Sequence, residues 1–244
     1  MPTASAAKPT SRAVRKPKLT ESKTEECAKA TVILERSHDS VNALFRAYEL
    51  ARAQRGKPRG ISTDDEQDLL RAMLVMAASG LDSMLKQLVR DAVPSLASLD
   101  RIAEEGLRSF VAKSLRGSSD SPDGVAGAAF LARVLIAPSY QSAVIDQYIH
   151  HLTGGSLQSM DELARTAAAL ALTKTKIDHA TLKPIFDIRN KIVHELDINL
   201  DGDRRKRNHR GLEDMKRYTR ALLDIAEAIL SEVDEKLAAS RAAA

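Results

Sequence analysis

Apolar residues recur along this chain every three to four positions, which is the spacing of one face of an α-helix. From about residue 20 to 54 the apolar stripe consists of Val32, Ile33, Val41, Leu44, Phe45 and Tyr48. A second stripe follows an N-cap at Ser62 or Thr63 and ends near Pro94, with acidic residues at 64–66 in its first turn. The pattern predicts two long helices in the first hundred residues.

Shorter apolar stripes occupy the middle of the chain. They predict helices at about 99–115, 125–135, 139–152 and 158–172, with a polar loop at 117–124. Thr181 and Pro184 mark the first turn of a further helix, and a long stripe predicts a last helix at about 211–238. Because no βαβ alternation, heptad array or repeat is visible, we expect an all-α helical bundle.

Length and composition predict one helical domain over residues 21–240, in which about 95–175 read as an insertion of short helices. Hydrophobic residues make up 43% of the chain, enough for a sizeable core, and only 3% are aromatic, which disfavours base-stacking platforms. Residues 1–20 carry five Lys and Arg and no acid, so they account for more than the whole net charge of +4. We expect a disordered basic tail there that attracts RNA non-specifically; a solubilising leader is the alternative.

Cys27 is the only cysteine, which excludes an internal disulfide framework and fits a reducing compartment. No apolar run reaches about 18 residues, and the N-terminus has no apolar signal-peptide segment. The expected location is therefore the cytoplasm, with no membrane partner.

The residues that bear most on chemistry are Arg189, Asn190 and His194, on the helix predicted to follow Thr181. At 100° per residue, Asn190 and His194 lie about 40° apart on one face, whereas Arg189 lies about 140° from His194. One helix therefore does not bring all three groups together. A second copy packed across a two-fold axis would bring the Arg of one chain towards the His of the other, so the motif favours a homodimer with its site at the two-fold interface.

These residue types suit RNA cleavage. A histidine titrates near neutrality and can move a proton to or from a ribose 2′-hydroxyl, while an arginine binds phosphate and stays charged. They would promote attack of the 2′-oxygen on its own phosphate without a metal or cofactor, leaving a 2′,3′-cyclic phosphate and a 5′-hydroxyl.

The pattern of Arg189, Asn190 and His194 near the end of a helix in an all-helical chain resembles the signature of the HEPN superfamily of ribonucleases. The resemblance implies a bundle of about four helices, an active homodimer and metal-independent cleavage, with Arg189 as phosphate clamp, His194 as acid and base, and Asn190 as a positioning group. It also implies a toxin or an anti-phage or stress effector that acts on tRNA or mRNA and is held in check by an antitoxin or another regulatory protein.

Three other interpretations of the motif stay open. In a purely structural one, Arg189 pairs with Asp187 or Glu195 on the surface and His194 is a helix-end residue favoured by the helix dipole. In a second, the chain is a non-catalytic dimeric module that binds RNA or a regulatory protein. In a third, it is a helical transcriptional or scaffold protein, although no DNA-reading helix is recognisable.

A basic run follows the motif and is a candidate path for the RNA phosphates. Its members are Arg204, Arg205, Lys206, Arg207 and Arg210. A solvated connector between two helices is the alternative interpretation of the same run.

Two arrangements resemble metal sites on paper, and we expect neither to bind metal. Residues 197–202 match the first half of an EF-hand calcium loop, but the second half is basic and Asn208 stands where the loop needs Glu. Asp146, His150 and His151 have helical spacing, yet histidines at the end of a helix are already favoured by its dipole.

Overall fold

A computed structural model describes residues 21–55, 60–116, 125–157, 159–173, 175, 177–199 and 206–242. The described chain forms the helices α1 (Glu25–Gln54), α2 (Asp64–Leu99), α3 (Arg101–Arg116), α4 (Val125–Leu135), α5 (Tyr140–Thr153), α6 (Met160–Ala169), α7 (His179–Glu195) and α8 (Leu212–Ala242). Over these residues the β-type pairing is a single antiparallel bridge between Ile198 and Arg207. The prediction of an all-α fold is confirmed.

Side-chain caps set where several helices begin. Thr63 and Glu66 form a reciprocal capping box at the start of α2, in which each side chain accepts a hydrogen bond from the other residue's backbone N–H. Ser139, Ser159 and Asp178 are the N-caps of α5, α6 and α7. The side chain of each accepts one hydrogen bond from a backbone N–H in the first turn of its helix. The N-cap predicted at Ser62 or Thr63 is therefore Thr63.

Helix α2 does not end near Pro94 as predicted; it continues to Leu99. Proline removes one backbone hydrogen bond from a helix interior. Val93 and Leu96, on either side of Pro94, are buried. Continuing the helix places both in the core, and their burial offsets the lost hydrogen bond.

Two other helix boundaries differ from the prediction. Helix α6 ends at Ala169 rather than near 172, because Ala171 adopts a left-handed conformation with φ of 53°. Helix α7 begins at His179, before Thr181, so that Pro184 falls in its second turn. The predicted loop at 117–124 and the basic tail at 1–20 lie outside the described residues.

Contacts divide the chain into two compact units. Among described residues, the first, here called the motif unit, comprises Ile33–Leu81 and Asp178–Ile225. The second, the short-helix unit, comprises Leu19–Val32, Asp82–Ile177 and Ala226–Ala244. Most of the segment predicted as an insertion of short helices belongs to the second unit, and the single domain over 21–240 stays a prediction.

The motif unit has an apolar core contributed by α1, α2, α7 and α8. Its large buried side chains include Leu34, Phe45, Tyr48, Leu70, Met73, Leu74, Leu81, Ile185, Phe186 and Leu222. Helices α1 and α2 approach closely where Gly80 faces Ser37, since a Cβ atom at Gly80 would overlap the Ser37 side chain.

The short-helix unit fixes the start of α1 through a buried acid in α8. Asp234 is 1% exposed and accepts hydrogen bonds from the backbone N–H groups of Lys23 and Thr24 and from the Thr24 hydroxyl. Cys27 lies in the next turn and is fully buried, and burial raises its pKa to about 12. The thiol is therefore protonated and shielded at neutral pH.

Helix α2 is also long and apolar enough, by composition, to cross a membrane, and it is the one described helix that meets this test. In its most apolar window 56% of the residues are buried inside the protein. Core helices of soluble proteins satisfy the same length and hydropathy test.

Candidate functional site

The chemistry-bearing residues lie on the last two turns of α7. This helix buries Leu182, Ile185, Phe186 and Ile192 in the motif unit. Arg189 is half-buried, whereas Asn190 and His194 are exposed. The buried face thus fixes α7 in the core, with Arg189 on its side three residues before Ile192, while Asn190 and His194 face solvent.

Arg189 and Asn190 are brought into direct contact. The Arg189 Nη1 atom donates a hydrogen bond to Asn190 Oδ1 at 2.9 Å. Asp187, one of the two acids considered as a partner for Arg189, instead accepts a hydrogen bond from Lys183 Nζ at 2.9 Å. The Asn190 amide therefore restrains the direction of the guanidinium.

His194 occupies the last turn of α7 and is exposed. Within the described part of the chain, no hydrogen bond or ion pair links its imidazole to Arg189, Asn190 or any other side chain. The structure therefore joins Arg189 to Asn190 and does not join either to His194 within one chain.

The backbone just after His194 takes an unusual course. Leu196 and Asp197 both adopt left-handed conformations, with φ of 51° and 58°. Their backbone N–H groups both donate to the carbonyl oxygen of Lys191, which ends α7. A non-glycine residue in this conformation costs about 1–2 kcal/mol. Leu196 gains no burial in return within one chain, since it is 64% exposed.

Asp197 ends this turn as a fully buried carboxylate. Its oxygens accept hydrogen bonds from Arg71 Nε at 3.0 Å, Arg210 Nε at 2.9 Å and Asn208 Nδ2 at 3.1 Å. Burial by itself raises the pKa of Asp197, but the hydrogen bonds from Arg210, Arg71 and Asn208 outweigh it and hold that pKa below its ordinary value. We call these four residues the Asp197 clamp.

The Asp197 clamp also answers the calcium question for the part of the loop that is described. A carboxylate already bound by two guanidinium groups in the interior is not available as a calcium ligand. Asp201 and Gly202, further members of the EF-hand-like pattern, lie outside the described residues. The left-handed conformation of Asp197 thus belongs to the turn that ends α7.

Further contacts tie the returning strand-like segment 206–210 to α2. Arg71 donates to the Asn208 carbonyl oxygen at 2.8 Å. Gln67 pairs with the backbone of Arg210 in both directions, at 2.9 and 2.7 Å. The chain on both sides of the residues 200–205 is therefore anchored to α2, and the position of His194 depends on that anchorage.

The candidate RNA-binding residues have different surroundings. Arg204 and Arg205 lie outside the described residues. Arg207 donates to the Leu196 carbonyl oxygen at 3.1 Å and pairs with Asp68 at 2.7 Å, and Arg210 belongs to the Asp197 clamp. Lys206 is exposed. Arg207 and Arg210 thus hold the loop together, and Lys206 is the described member of the run that faces solvent without such a contact.

No metal centre is apparent in the described ranges. Groups of three or more His, Cys, Asp or Glu side chains placed to hold an ion are absent from them, Asp146, His150 and His151 included.

The Asp197 clamp is a feature that the sequence pattern did not reveal. Arg71 and Asp197 are 126 positions apart, and local spacing carries no signal of such a pair. The one available hint was an Asp directly after a helix end, where left-handed conformations are tolerated. Comparisons of the chain with protein-family models, with curated proteins and with solved structures find no match.

Proposed function

We propose that this protein is a metal-independent endoribonuclease of the HEPN type, with Arg189, Asn190 and His194 as its catalytic residues. The observation that carries the proposal is the surface of α7, where a neighbouring amide directs the Arg189 guanidinium and the exposed His194 imidazole has no side-chain partner among the described residues. One helix thus carries a group for phosphate binding and a group for proton transfer, which a second copy would bring together.

The reaction is an internal transfer at phosphorus. His194 accepts the proton of the ribose 2′-hydroxyl as the 2′-oxygen forms a bond to the adjacent phosphorus. The bond from phosphorus to the 5′-oxygen breaks, and that oxygen receives the proton that His194 took up. Arg189 neutralises the charge that grows on the phosphate oxygens. The products are a 2′,3′-cyclic phosphate and a 5′-hydroxyl.

Two exposed apolar side chains support a dimer at this surface. Val193 is 40% exposed and Leu196 is 64% exposed, and they flank His194. Neither backbone conformation nor burial favours leucine at position 196 in an isolated chain. A second copy packed on this surface would bury both side chains and bring the second set of catalytic residues to the first.

The biological role follows from the resemblance. A ribonuclease of this kind would act on tRNA or mRNA as a toxin or as an effector of phage defence or stress, in the cytoplasm. Its partner would be an antitoxin or a regulatory protein that covers the α7 surface. Lys206 would contribute to RNA binding, together with Arg204 and Arg205.

The proposal is tested by incubating the purified protein with tRNA and with mRNA in excess EDTA and analysing the product ends. We expect cleavage in EDTA with 2′,3′-cyclic phosphate and 5′-hydroxyl ends. An oligonucleotide with a single 2′-deoxy residue 5′ to the scissile phosphate should resist cleavage there, because it lacks the attacking oxygen. Cleavage that EDTA abolishes would overturn the mechanism, and RNA binding without cleavage would establish the non-catalytic module.

The dimer makes a separate prediction at Leu196. In Leu196→Gly the left-handed conformation becomes free of steric cost, so the free energy of unfolding should stay within about 1 kcal/mol of the parent. The dimer should weaken by at least about tenfold, because each copy loses a leucine worth roughly 1.5–3 kcal/mol on burial. Sedimentation equilibrium and urea unfolding measure the two effects.

Ile61→Gly is the matched control, since Ile61 is an apolar loop residue of the same unit that is 80% exposed. It should leave the dimer unchanged. A Leu196→Gly variant that dimerises like the parent would show that the surface around His194 is not the interface.

A further inference from the structure

The short-helix unit contains a cavity that the proposed nuclease does not use. It has a volume of about 620 Å³ and lies among α3, α4, α5 and α6. Cavities of roughly 300–1,000 Å³ are typical of sites for small organic ligands. All of its lining residues belong to the short-helix unit, so it is a feature of that unit alone.

The wall of the cavity is aromatic. Phe110, Phe130 and Tyr148 are three of only eight Phe and Tyr residues in the chain. The centroid of the Phe110 ring lies 5.1 Å from that of Tyr148, 5.1 Å from that of His151, and 6.0 Å from that of Phe130, to which it is edge-on. Rings at these distances interact, and together these rings present a flat apolar surface to the cavity.

Gly106 allows the Tyr148 side chain in this wall to approach helix α3 closely. A Cβ atom at Gly106 in α3 would lie 2.9 Å from the Tyr148 hydroxyl oxygen. Tyr148 is 4% exposed, and burial raises its pKa to about 12. The neutral phenol therefore packs against α3 and keeps its ring in the cavity wall.

The charged groups among the described residues that line the cavity are all basic. Lys113 from α3 and Arg165 from α6 line it together with His150 and His151, and its lining residues include no Asp or Glu. Lys113 and Arg165 are exposed, and across the described chain neither forms an ion pair with a carboxylate. Burial and the nearby charges of Arg165 and Lys113 lower the pKa of His151, so both cations act on the same space.

We propose that this cavity binds a small aromatic anion, whose ring stacks on Phe110 and whose anionic group is held by Lys113 and Arg165. Stacking on an aromatic wall favours a planar ring, and two cations that form no ion pair among the described residues favour a phosphate, sulfonate or carboxylate. A nucleoside monophosphate and an aromatic carboxylate share this chemistry. The binding does not depend on RNA cleavage and does not require the nuclease proposal.

The test uses 8-anilinonaphthalene-1-sulfonate as the anionic probe and N-phenyl-1-naphthylamine, which has the same rings without the sulfonate, as the neutral one. We expect the native protein to bind the sulfonate saturably, with one site per chain and at least tenfold more tightly than the neutral compound. Lys113→Gln combined with Arg165→Gln should remove that preference and leave the binding of the neutral probe unchanged. Phe110→Leu should weaken binding of both probes.

Arg108→Gln combined with Arg133→Gln is the matched control, since it removes two exposed basic residues of the same unit that do not line the cavity. It should keep the preference for the anion. Displacement of the sulfonate by adenosine 5′-monophosphate identifies a nucleotide-like ligand, and displacement by indole-3-carboxylate identifies an aromatic acid. Absence of saturable binding, or a preference that survives loss of Lys113 and Arg165, would overturn the proposal.

Discussion

Replacing His194 with alanine is expected to reduce RNA cleavage by about 10³-fold, within the range that a positioned acid or base contributes. The side chain is exposed and has no partner among the described residues, so its removal should not disturb the fold. The loss should therefore appear in the single-turnover rate constant for a defined RNA and not in the free energy of unfolding. RNA binding should be largely retained, because Arg189 is still present.

His179→Ala is the matched control. His179 lies on the same helix, is exposed, and occupies the first position of α7, about four turns before His194. The His179→Ala variant should cleave RNA as fast as the parent. If His194→Ala retained more than a third of the parent rate, His194 would not be the catalytic acid or base.

A mixing experiment distinguishes a shared site from one within each chain. His194→Ala and Arg189→Ala should each be inactive alone. In a heterodimer of the two, one intact His194 faces one intact Arg189 across the interface, so mixing should restore part of the activity. A site built within one chain predicts no recovery, because neither copy then carries both groups.

Replacing Asp197 with alanine is expected to lower the free energy of unfolding by about 3–5 kcal/mol, the cost of leaving a buried charge without its partner. Arg71, whose side chain is only 4% exposed, would lose its buried carboxylate partner and keep only its contacts with the exposed Asp68 and with the Asn208 carbonyl oxygen. Urea unfolding followed by far-ultraviolet circular dichroism measures the change. RNA cleavage should fall as well, because the turn that follows His194 loses its anchor.

Asp68→Ala gives a sharp comparison. Asp68 also accepts a hydrogen bond from Arg71, at 3.0 Å, but its side chain is 53% exposed. Exposed ion pairs are worth roughly 0–1 kcal/mol, so this variant should lose no more than that. Equal losses for the two variants would mean that the Asp197 clamp does not depend on its burial.

The clamp also predicts how stability depends on pH. The pKa of Asp197 is lower in the folded chain than the ordinary value of about 3.9, so folding favours the charged carboxylate. This contribution is fully present above about pH 4 and is lost as the pH falls through the folded-state pKa. Asp197→Asn should therefore unfold with a shallower dependence on pH in this acid range than the parent.

Local signals predicted the helices well because their causes are local. The capping box of Thr63 and Glu66 and the apolar stripes lie within a few residues of the elements they define. The prediction that α2 ends near Pro94 was wrong because the effect of this proline depends on the packing of Val93 and Leu96. That packing is decided by residues distant in sequence. Ala171 ends α6 by its conformation, for which alanine gives no signal.

The candidate site also combines features that have local causes with features that depend on residues distant in sequence. The face that carries Asn190 and His194 follows from helical periodicity, and both residues are exposed on it. The contacts of Arg207 and Arg210 were not predictable from a run of basic residues, because they depend on Asp68 and Asp197. The aromatic cavity was invisible in a composition averaged over the chain, since tertiary structure brings together Phe110, Phe130 and Tyr148, which are distant in sequence.

The burial of Cys27 has a practical consequence. A fully buried thiol with a pKa of about 12 will not react with thiol reagents at neutral pH, and the chain has no other cysteine. A cysteine introduced by Val193→Cys would then be the sole reactive thiol. Covalent crosslinking between two copies at this position would report directly on the separation of their α7 helices in solution. The native Cys27 would not have to be replaced first.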